Sequence, residues 1–199
     1  GDGAGVNNQG SLIVQGCRFD GHRGSAGSNF GGGGIFNDFD ATLRVEDSTF
    51  DGNSASRGAA VFNLGDAELY NSTFSGNIEG VGEGAIQNRG TLLGVHLTVT
   101  DNGRPDGNPA AGGLFAFGTD SETTLVNSVL AGNRARDCRI SGGNVLTIGT
   151  LVQNPQNCGT PDLTVDPLLQ PLAANGGPTR THAVGTDSAT IAAGDAGFC

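Results

Sequence analysis

The chain has 199 residues, of which 36 are Gly, and its ten cationic side chains are all Arg, opposed by 20 Asp and Glu for a net charge of −10. This acidic balance disfavours nucleic-acid phosphates and anionic lipid as partners, and the lack of Lys excludes P-loop and Schiff-base chemistry. The excess of Gly over a usual share of about 7% requires an architectural explanation.

Two short motifs recur along the chain. One runs from small residues through an apolar residue to Asn, at 33–37, 59–63 and 84–88, with looser copies at 3–8 and 112–116. The other is Phe-x-x-Asn, complete at 50–53 and 74–77, with related frames beginning at Phe19, Val99 and Leu130. Between them lies an alternating segment, for example Leu43 and Val45, and a period of two is typical of a β-strand.

Each repeat therefore predicts three short strands separated by Gly, Asn or Asp corners, which neither helices nor two-residue hairpins explain. Stacking the repeats pairs each strand with its equivalent one repeat later, so the sequence predicts an all-β, right-handed, single-stranded parallel β-helix, a β-solenoid. We expect about five regular coils within 1–150. The irregular segment 151–199 belongs to the same domain and is expected to cap the coils.

Superposing the repeats predicts columns of equivalent residues. One inward column contains three stacked rings, and two corner columns contain Asn side chains that bond from coil to coil. These structural ladders are Phe19, Phe50 and Phe74; Asn8, Asn37, Asn63 and Asn88; and Asn53, Asn77, Asn102 and Asn133.

The two repeat motifs, together with Asp166-Pro167-Leu168-Leu169 and the segment 172–183 (LAANGGPTRTHA), resemble two kinds of bacterial surface protein. These are the polymorphic outer membrane proteins and the choice-of-anchor Q type proteins. The resemblance implies an exported β-helix and, in some members, adhesion or surface architecture. The sequel at 188–194 only loosely follows the family pattern.

One outward column is unusually apolar. If Ile35, its equivalents and the Asn corner face inward, then Phe36, Phe62 and Phe115 point outward from their strands. An exposed row of Phe is a candidate contact stripe. The alternative is that the insertions at 38–41 and 117–122 cover it.

Carboxylates and arginines in the insertions and on the strands are the candidates for enzyme chemistry: Asp38, Asp40, Asp120, Glu122, Arg18 and Arg44. Asp38 and Asp120 lie three coils apart, about 14 Å, which exceeds the roughly 5 to 9.5 Å of a glycosidase pair. A groove with three or more converging charged groups would favour an enzyme.

The four cysteines predict one pair. Cys138 and Cys158 bracket a loop without a nearby His or a Cys-x-x-Cys motif, so a disulfide is favoured over a metal site. Cys17 falls in an inward column and Cys199 ends the chain. Two alternatives stay open for Cys17: a buried free thiol, or a disulfide to Cys199 of another subunit.

The sequence thus favours a non-enzymatic structural or adhesive protein of the extracellular space or cell surface. We expect no catalytic residue, metal or cofactor. The expected partners are copies of the chain stacked head to tail, or other surface proteins and glycans, without membrane insertion. A polysaccharide lyase or glycoside hydrolase is the alternative. The N-terminal residues do not form an export signal, which we expect to be removed or to lie outside this chain.

Overall fold

A computed structural model describes residues 3–24, 31–81, 83–106 and 111–198. It confirms an all-β solenoid of parallel sheets; within the described residues there is no α-helix and one short 3-10 helix, Ala196–Phe198. In chain order the strands are β1 Val6–Asn8, β2 Ser11–Gln15, β3 Arg18–Asp20, β4 Ile35–Asn37, β5 Thr42–Glu46, β6 Thr49–Asp51, β7 Ser54–Ala55, β8 Val61–Asn63, β9 Asp66–Tyr70, β10 Thr73–Ser75, β11 Ile78–Glu79, β12 Ile86–Asn88, β13 Thr91–Val95, β14 Thr98–Thr100, β15 Leu114–Phe117, β16 Glu122–Val126, β17 Val129–Leu130, β18 Cys138–Ser141, β19 Asn144–Ile148, β20 Leu151–Val152 and β21 Pro155–Gln156.

Three long sheets run along the solenoid, one for each strand position of the repeat. Sheet A is β1-β4-β8-β12-β15-β18-β21, sheet B is β2-β5-β9-β13-β16-β19, and sheet C is β3-β6-β10-β14-β17-β20, while β7 and β11 form a small fourth sheet. The strand pairs within them are parallel, because each strand meets its own equivalent in the next coil.

The predicted ring column is confirmed. Phe19 pairs in register with Phe50, and Phe50 with Phe74, and their rings stack at centroid separations of 4.6 and 4.8 Å. These separations equal the spacing of neighbouring strands, so each ring lies flat on the next without a gap. Val99 and Leu130 continue the column, and it forms the centre of the core.

The first Asn ladder lies at the corner between sheets A and B. Asn8 donates to Asn37 at 2.6 Å, Asn37 to Asn63 at 2.8 Å, and Asn63 to Asn88 at 2.8 Å, in each case from Nδ2 to Oδ1. The ladder ends where Asn88 donates to the hydroxyl of Thr123. Each amide also donates to backbone carbonyls at the corner, so buried polar groups of the turn are satisfied.

The second Asn ladder follows sheet C. Asn53, Asn77, Asn102 and Asn133 donate from Nδ2 to the next residue in line at 2.8 to 2.9 Å. The last acceptor is not an amide but the carboxylate of Asp137, which also accepts from the backbone of Asn133 and Asn154. An amide ladder needs an acceptor at its end, and the carboxylate provides one here, as the hydroxyl of Thr123 does in the first ladder. Burial raises the pKa of Asp137.

A left-handed corner separates sheets B and C. Here the backbone φ is positive in every coil, at residues that lack a Cβ or tolerate this region: Gly16, Asp47, Asn71, His96, Asn127 and Gly149. The ring of His96 contacts the side chains of Asn71 and Asn127. His96 therefore takes part in the side-chain hydrogen bonding of this corner.

The C-terminal segment does more than cap the coils. Asp162 and Leu163 pair with the last strand of sheet C and cover its end. The chain then runs back along the outer face of sheet C as a hairpin, in which the antiparallel bridges are Leu169 to Val184 and Ala173 to Thr181. We call residues 164–195 the strap.

The strap is attached by polar contacts far apart in the sequence. Thr49 Oγ1 donates to the carbonyl of Arg180 at 2.6 Å, and His182 Nε2 lies 2.9 Å from Ser75 Oγ. As a result the outward residues Thr49 and Thr73 are almost fully buried. Covering a face of sheet C, rather than only the end of the solenoid, is the difference from the sequence-based expectation.

The disulfide between Cys138 and Cys158 is confirmed, with Cα atoms 6.1 Å apart. The burial expected for Cys17 is wrong, because Cys17 is a free and exposed thiol. It lies in the inward column with Ser48, but in the first coil, where no described strand covers it from the other side. Cys199 lies outside the described residues.

Replacing Phe74 by Ala removes the middle of a close-packed stack whose neighbours cannot collapse, because strand spacing holds them. We expect Phe74→Ala to lower the free energy of unfolding by about 3 to 5 kcal/mol, measured by denaturant titration. Phe39, with 64% of its surface exposed, provides the matched control. Phe39→Ala should change stability by less than about 0.5 kcal/mol, and equal effects of the two substitutions would contradict the ring column.

One buried carboxylate makes stability depend on pH. Glu79 in β11 is 1% exposed, and within the described chain its Oε2 has no hydrogen-bond partner. Loss of hydration raises the pKa of Glu79 from 4.5 to about 7, although Arg104 nearby opposes the shift and Asp106 adds to it. The folded state therefore holds a proton that the unfolded chain has already lost at intermediate pH.

From this we predict that stability falls as pH rises from about 4.5 through 7, by about 3 kcal/mol at most from this group. Glu79→Gln should flatten the fall, measured as the midpoint of urea unfolding against pH, and Asp137 should supply the part that remains. Glu122→Gln, at an exposed site, is the control. An unchanged slope in Glu79→Gln would refute the assignment.

Candidate ligand-binding cleft

The row of Phe predicted to form an exposed stripe is buried. Phe36, Phe62 and Phe115 are 3%, 0% and 6% exposed, although they do point outward from sheet A. Phe36 and Phe62 pack edge to face and share a small cluster with Leu64. The exposed contact stripe is therefore wrong for these three rings. They are covered, although the loop that lies against Phe62 is the one at Gly58, before β8, and not one of the insertions at 38–41 and 117–122.

Where this row continues toward later coils, its character changes from apolar to mixed. The outward position occupied by Phe62 is taken in the next coils by Gln87, Phe115 and Arg139. A second outward row, two residues along each strand, contains Arg89 and Phe117. These two rows form the floor of a cleft of about 320 Å³.

The wall of the cleft comes from the loops that precede β8 and β12. The described residues lining floor and wall together are Arg57, Val81, Glu83, Gln87, Arg89, Phe115, Phe117, Arg139 and Ser141. The loop before β8 approaches the outer face of sheet A closely because residue 58 is glycine. A Cβ on Gly58, where φ is +50°, would lie 2.8 Å from the Cβ of Phe62. The loop can therefore lie directly on the outer face of sheet A.

Two arginines of the cleft lie against aromatic rings. The guanidinium of Arg139 is 5.4 Å from the centre of the Phe115 ring, and that of Arg89 is 5.3 Å from the centre of Phe117. Neither has a salt-bridge partner among the described residues. A guanidinium over an aromatic face keeps its hydrogen-bond donors at its edge available to a ligand.

A hydrogen-bonded group closes one side of the cleft. Glu83 Oε2 accepts from Arg57 Nε at 3.0 Å and from Gln87 Nε2 at 2.9 Å. Gln87 is 1% exposed, and its Oε1 has no partner in the described structure. A buried carbonyl oxygen without a donor is unfavourable, so the cleft contains an acceptor that a bound molecule can satisfy.

The charge of the cleft is opposite to that of the whole protein. Three of the ten arginines line it, with Glu83 as the one carboxylate among its described lining residues, whereas the chain carries −10. The local positive charge attracts an anion to the cleft, whereas the negative charge of the remaining surface disfavours anion binding there. The arrangement can hold carboxylate, sulfate or phosphate groups.

The arginines and carboxylates singled out in the sequence do not converge on this cleft. Arg18 pairs with Asp20 and Asp51, and Arg44 pairs with Glu46 and Glu68, on other faces of the solenoid. Asp38, Asp40, Asp120 and Glu122 do not line it. Sequence reasoning missed Arg89 and Arg139. The Asn motif at 84–88 places Arg89 outward, whereas the outward position of Arg139 comes from the pairing of β15 with β18.

A second groove, of about 420 Å³, lies between sheet C and the strap, and Asp101, Asp166 and His182 are among its lining residues. His182 has both ring nitrogens engaged, by Gln170 and Ser75, and Asp166 accepts from the backbone of Leu168. These contacts attach the strap, so we assign this groove a structural role.

No protein-family model, curated protein or solved structure matches the chain. In the described part of the chain, no three His, Cys, Asp or Glu side chains are placed to hold a metal ion. The same residues contain no helix with the length and apolar character needed to span a membrane.

Proposed function

We propose that the protein is a non-enzymatic, adhesive β-solenoid of the extracellular space or cell surface that binds an anionic partner through the cleft on sheet A. The observation that supports this most directly is the pair of arginines that have no salt bridge to a described residue, Arg89 and Arg139, against aromatic rings on a rigid sheet. In a chain of net charge −10, they differ from Arg18 and Arg44 on other faces, which are paired with carboxylates.

The scaffold suits a binding role because the backbone that carries the cleft is already ordered in the absence of a ligand. Its floor residues stand on β12, β15 and β18, which are hydrogen-bonded strands with fully buried inner faces. The backbone of the cleft is therefore ordered before a ligand binds, so binding costs the conformational entropy of the side chains only. An adhesive surface of this kind recognises its partner by the spacing of its side chains along the solenoid axis.

The same cleft residues bear on the alternative, a polysaccharide lyase or glycoside hydrolase. Three or more converging charged groups in a groove would favour an enzyme, and the cleft does have such groups. They are mainly guanidinium groups, however, and Glu83 is already bonded to Arg57 and Gln87. Hydrolysis of a glycoside by the common route uses two carboxyl groups, which argues against a hydrolase. A lyase would release unsaturated sugars, for which the test below looks, and binding without turnover is the function we favour.

Export, resemblance to bacterial surface repeat proteins and head-to-tail association belong to the same proposal. The disulfide is compatible with an oxidising compartment. The strands β1, β2 and β3 pair on one side only among the described residues, and an edge of this kind is able to add strands of a second copy. Size-exclusion chromatography at increasing concentration tests the association, and a monomer throughout would contradict it.

To test the binding role, the double variant Arg89→Gln/Arg139→Gln is compared with Arg18→Gln/Arg44→Gln, which removes the same charge from other faces. We expect wild type and the second variant to be retained on resins bearing polyacrylate, polygalacturonate or dextran sulfate, but not on neutral dextran. The cleft variant should bind at least about tenfold more weakly.

Equal weakening in both double variants would show that only net charge matters, and would contradict the cleft as the binding site. Failure of the wild-type protein to bind any of the charged resins would contradict the proposal itself. Release of reducing ends or unsaturated sugars during incubation with polygalacturonate would instead establish the enzymatic alternative.

A further inference from the structure

Building on the proposed function, we infer that the ligand of the sheet A cleft is an acidic oligosaccharide. Its carboxylate or sulfate groups would bind Arg89 and Arg139, a sugar ring would lie on Phe117, and a ring hydroxyl would donate to Oε1 of Gln87. Each of these contacts is inferred from a separate feature of the cleft.

The first feature is the order of groups along the solenoid axis. Arg89 follows β12, Phe117 ends β15 and Arg139 lies in β18, so an aromatic ring lies between two cations. The strands of the two arginines are separated by two strand spacings, about 10 Å. A ligand that fits must alternate anionic groups with a flat, partly apolar unit, as a chain of acidic sugars does.

The second feature is the exposed ring. Phe117 has 43% of its surface exposed, yet it stacks on Phe115 at a centroid separation of 6.1 Å, with 27° between the ring planes. The guanidinium of Arg89 also lies 5.3 Å from the centre of this ring, so the platform for a flat ligand is the part of Phe117 that stays exposed beside the guanidinium. The apolar face of a sugar ring matches it, whereas a flexible acidic side chain of a peptide would bury little area there.

The third feature is the unsatisfied acceptor. Among the described residues, Gln87 Oε1 has no hydrogen-bond donor, and the Nε2 of the same amide donates to Glu83. Carboxylates and sulfates at neutral pH are acceptors and cannot fill this place. A ligand that fills this place carries hydroxyl or N–H donors in addition to its anions, which sugars do and simple polyanions do not.

The test is titration calorimetry of the whole protein with defined oligomers of equal length: an oligogalacturonate, a sulfated oligosaccharide and a neutral oligosaccharide, with polyacrylate as the anion without hydroxyls. We expect one of the two acidic sugars to bind at least about tenfold more tightly than both the neutral sugar and polyacrylate. Whichever binds identifies carboxylate or sulfate as the recognised group.

Two substitutions separate the contacts. Phe117→Ala should weaken sugar binding about tenfold, with Phe39→Ala as the control at another exposed ring. Gln87→Met, which retains the volume but removes the acceptor, should weaken binding of the acidic sugar and leave polyacrylate unaffected, with Gln15→Met on sheet B as its control. Unchanged thermal unfolding shows that each variant is folded, and chemical-shift changes at the cleft in wild-type protein provide a readout independent of the variants.

The outcomes distinguish the two proposals. Binding of polyacrylate as tight as that of acidic sugars, lost in Arg89→Gln/Arg139→Gln, would overturn the saccharide inference and leave the adhesive role standing. Binding of the neutral oligosaccharide as tight as that of both acidic oligosaccharides would overturn it as well. Binding of acidic sugars that is unaffected by Phe117→Ala and Gln87→Met would place the sugar elsewhere and contradict the inference.

Discussion

The side-chain amide ladders are the constraint on which the rest of the structure depends. A solenoid of short strands turns three times in each coil, and every turn leaves backbone carbonyls and N–H groups facing the core. Asn63 and Asn77, fully buried, bond both to the next Asn and to these backbone groups. A buried polar group without a partner costs about 1 to 3 kcal/mol, so the Asn side chains at these two corners stabilise the stacking of the coils by removing that cost.

Fixed stacking has a consequence for the outer surface, where the binding site is proposed. Once the corners hold the register, outward residues of successive coils must form straight rows, whether or not they pack with one another. On sheet A the row passes from Phe62 through Gln87 and Phe115 to Arg139, so a buried apolar patch becomes a cationic cleft within three coils. The function proposed here is a property of this change along the row and not of a single coil.

The repeated part of the fold can be predicted from the sequence, because each coil has the same physical problem and solves it with the same residue types. The ring column and both Asn ladders follow from alignment of the repeats alone. The burial of Phe36 and Phe62 does not follow, since covering them depends on loops without a repeat. The strap cannot be predicted from the repeat either, because contacts such as Thr49 to Arg180 join residues 131 apart in the chain. Arg57, Glu83 and Arg139 were missed for the same reason, because they lie outside the repeats found in the sequence, whereas the register of the motif at 84–88 places Arg89 outward.

The central claim, that the Asn side chains bond from coil to coil in the interior, is tested most directly by proton exchange. In an NMR spectrum of the native protein, the side-chain amide protons of Asn63 and Asn77 should exchange as slowly as the neighbouring backbone amides, because both open only when coils separate. The exposed amide of Asn7 in β1 is the internal reference. Exchange of Asn63 and Asn77 as fast as that of Asn7 would contradict the ladders and the register that depends on them.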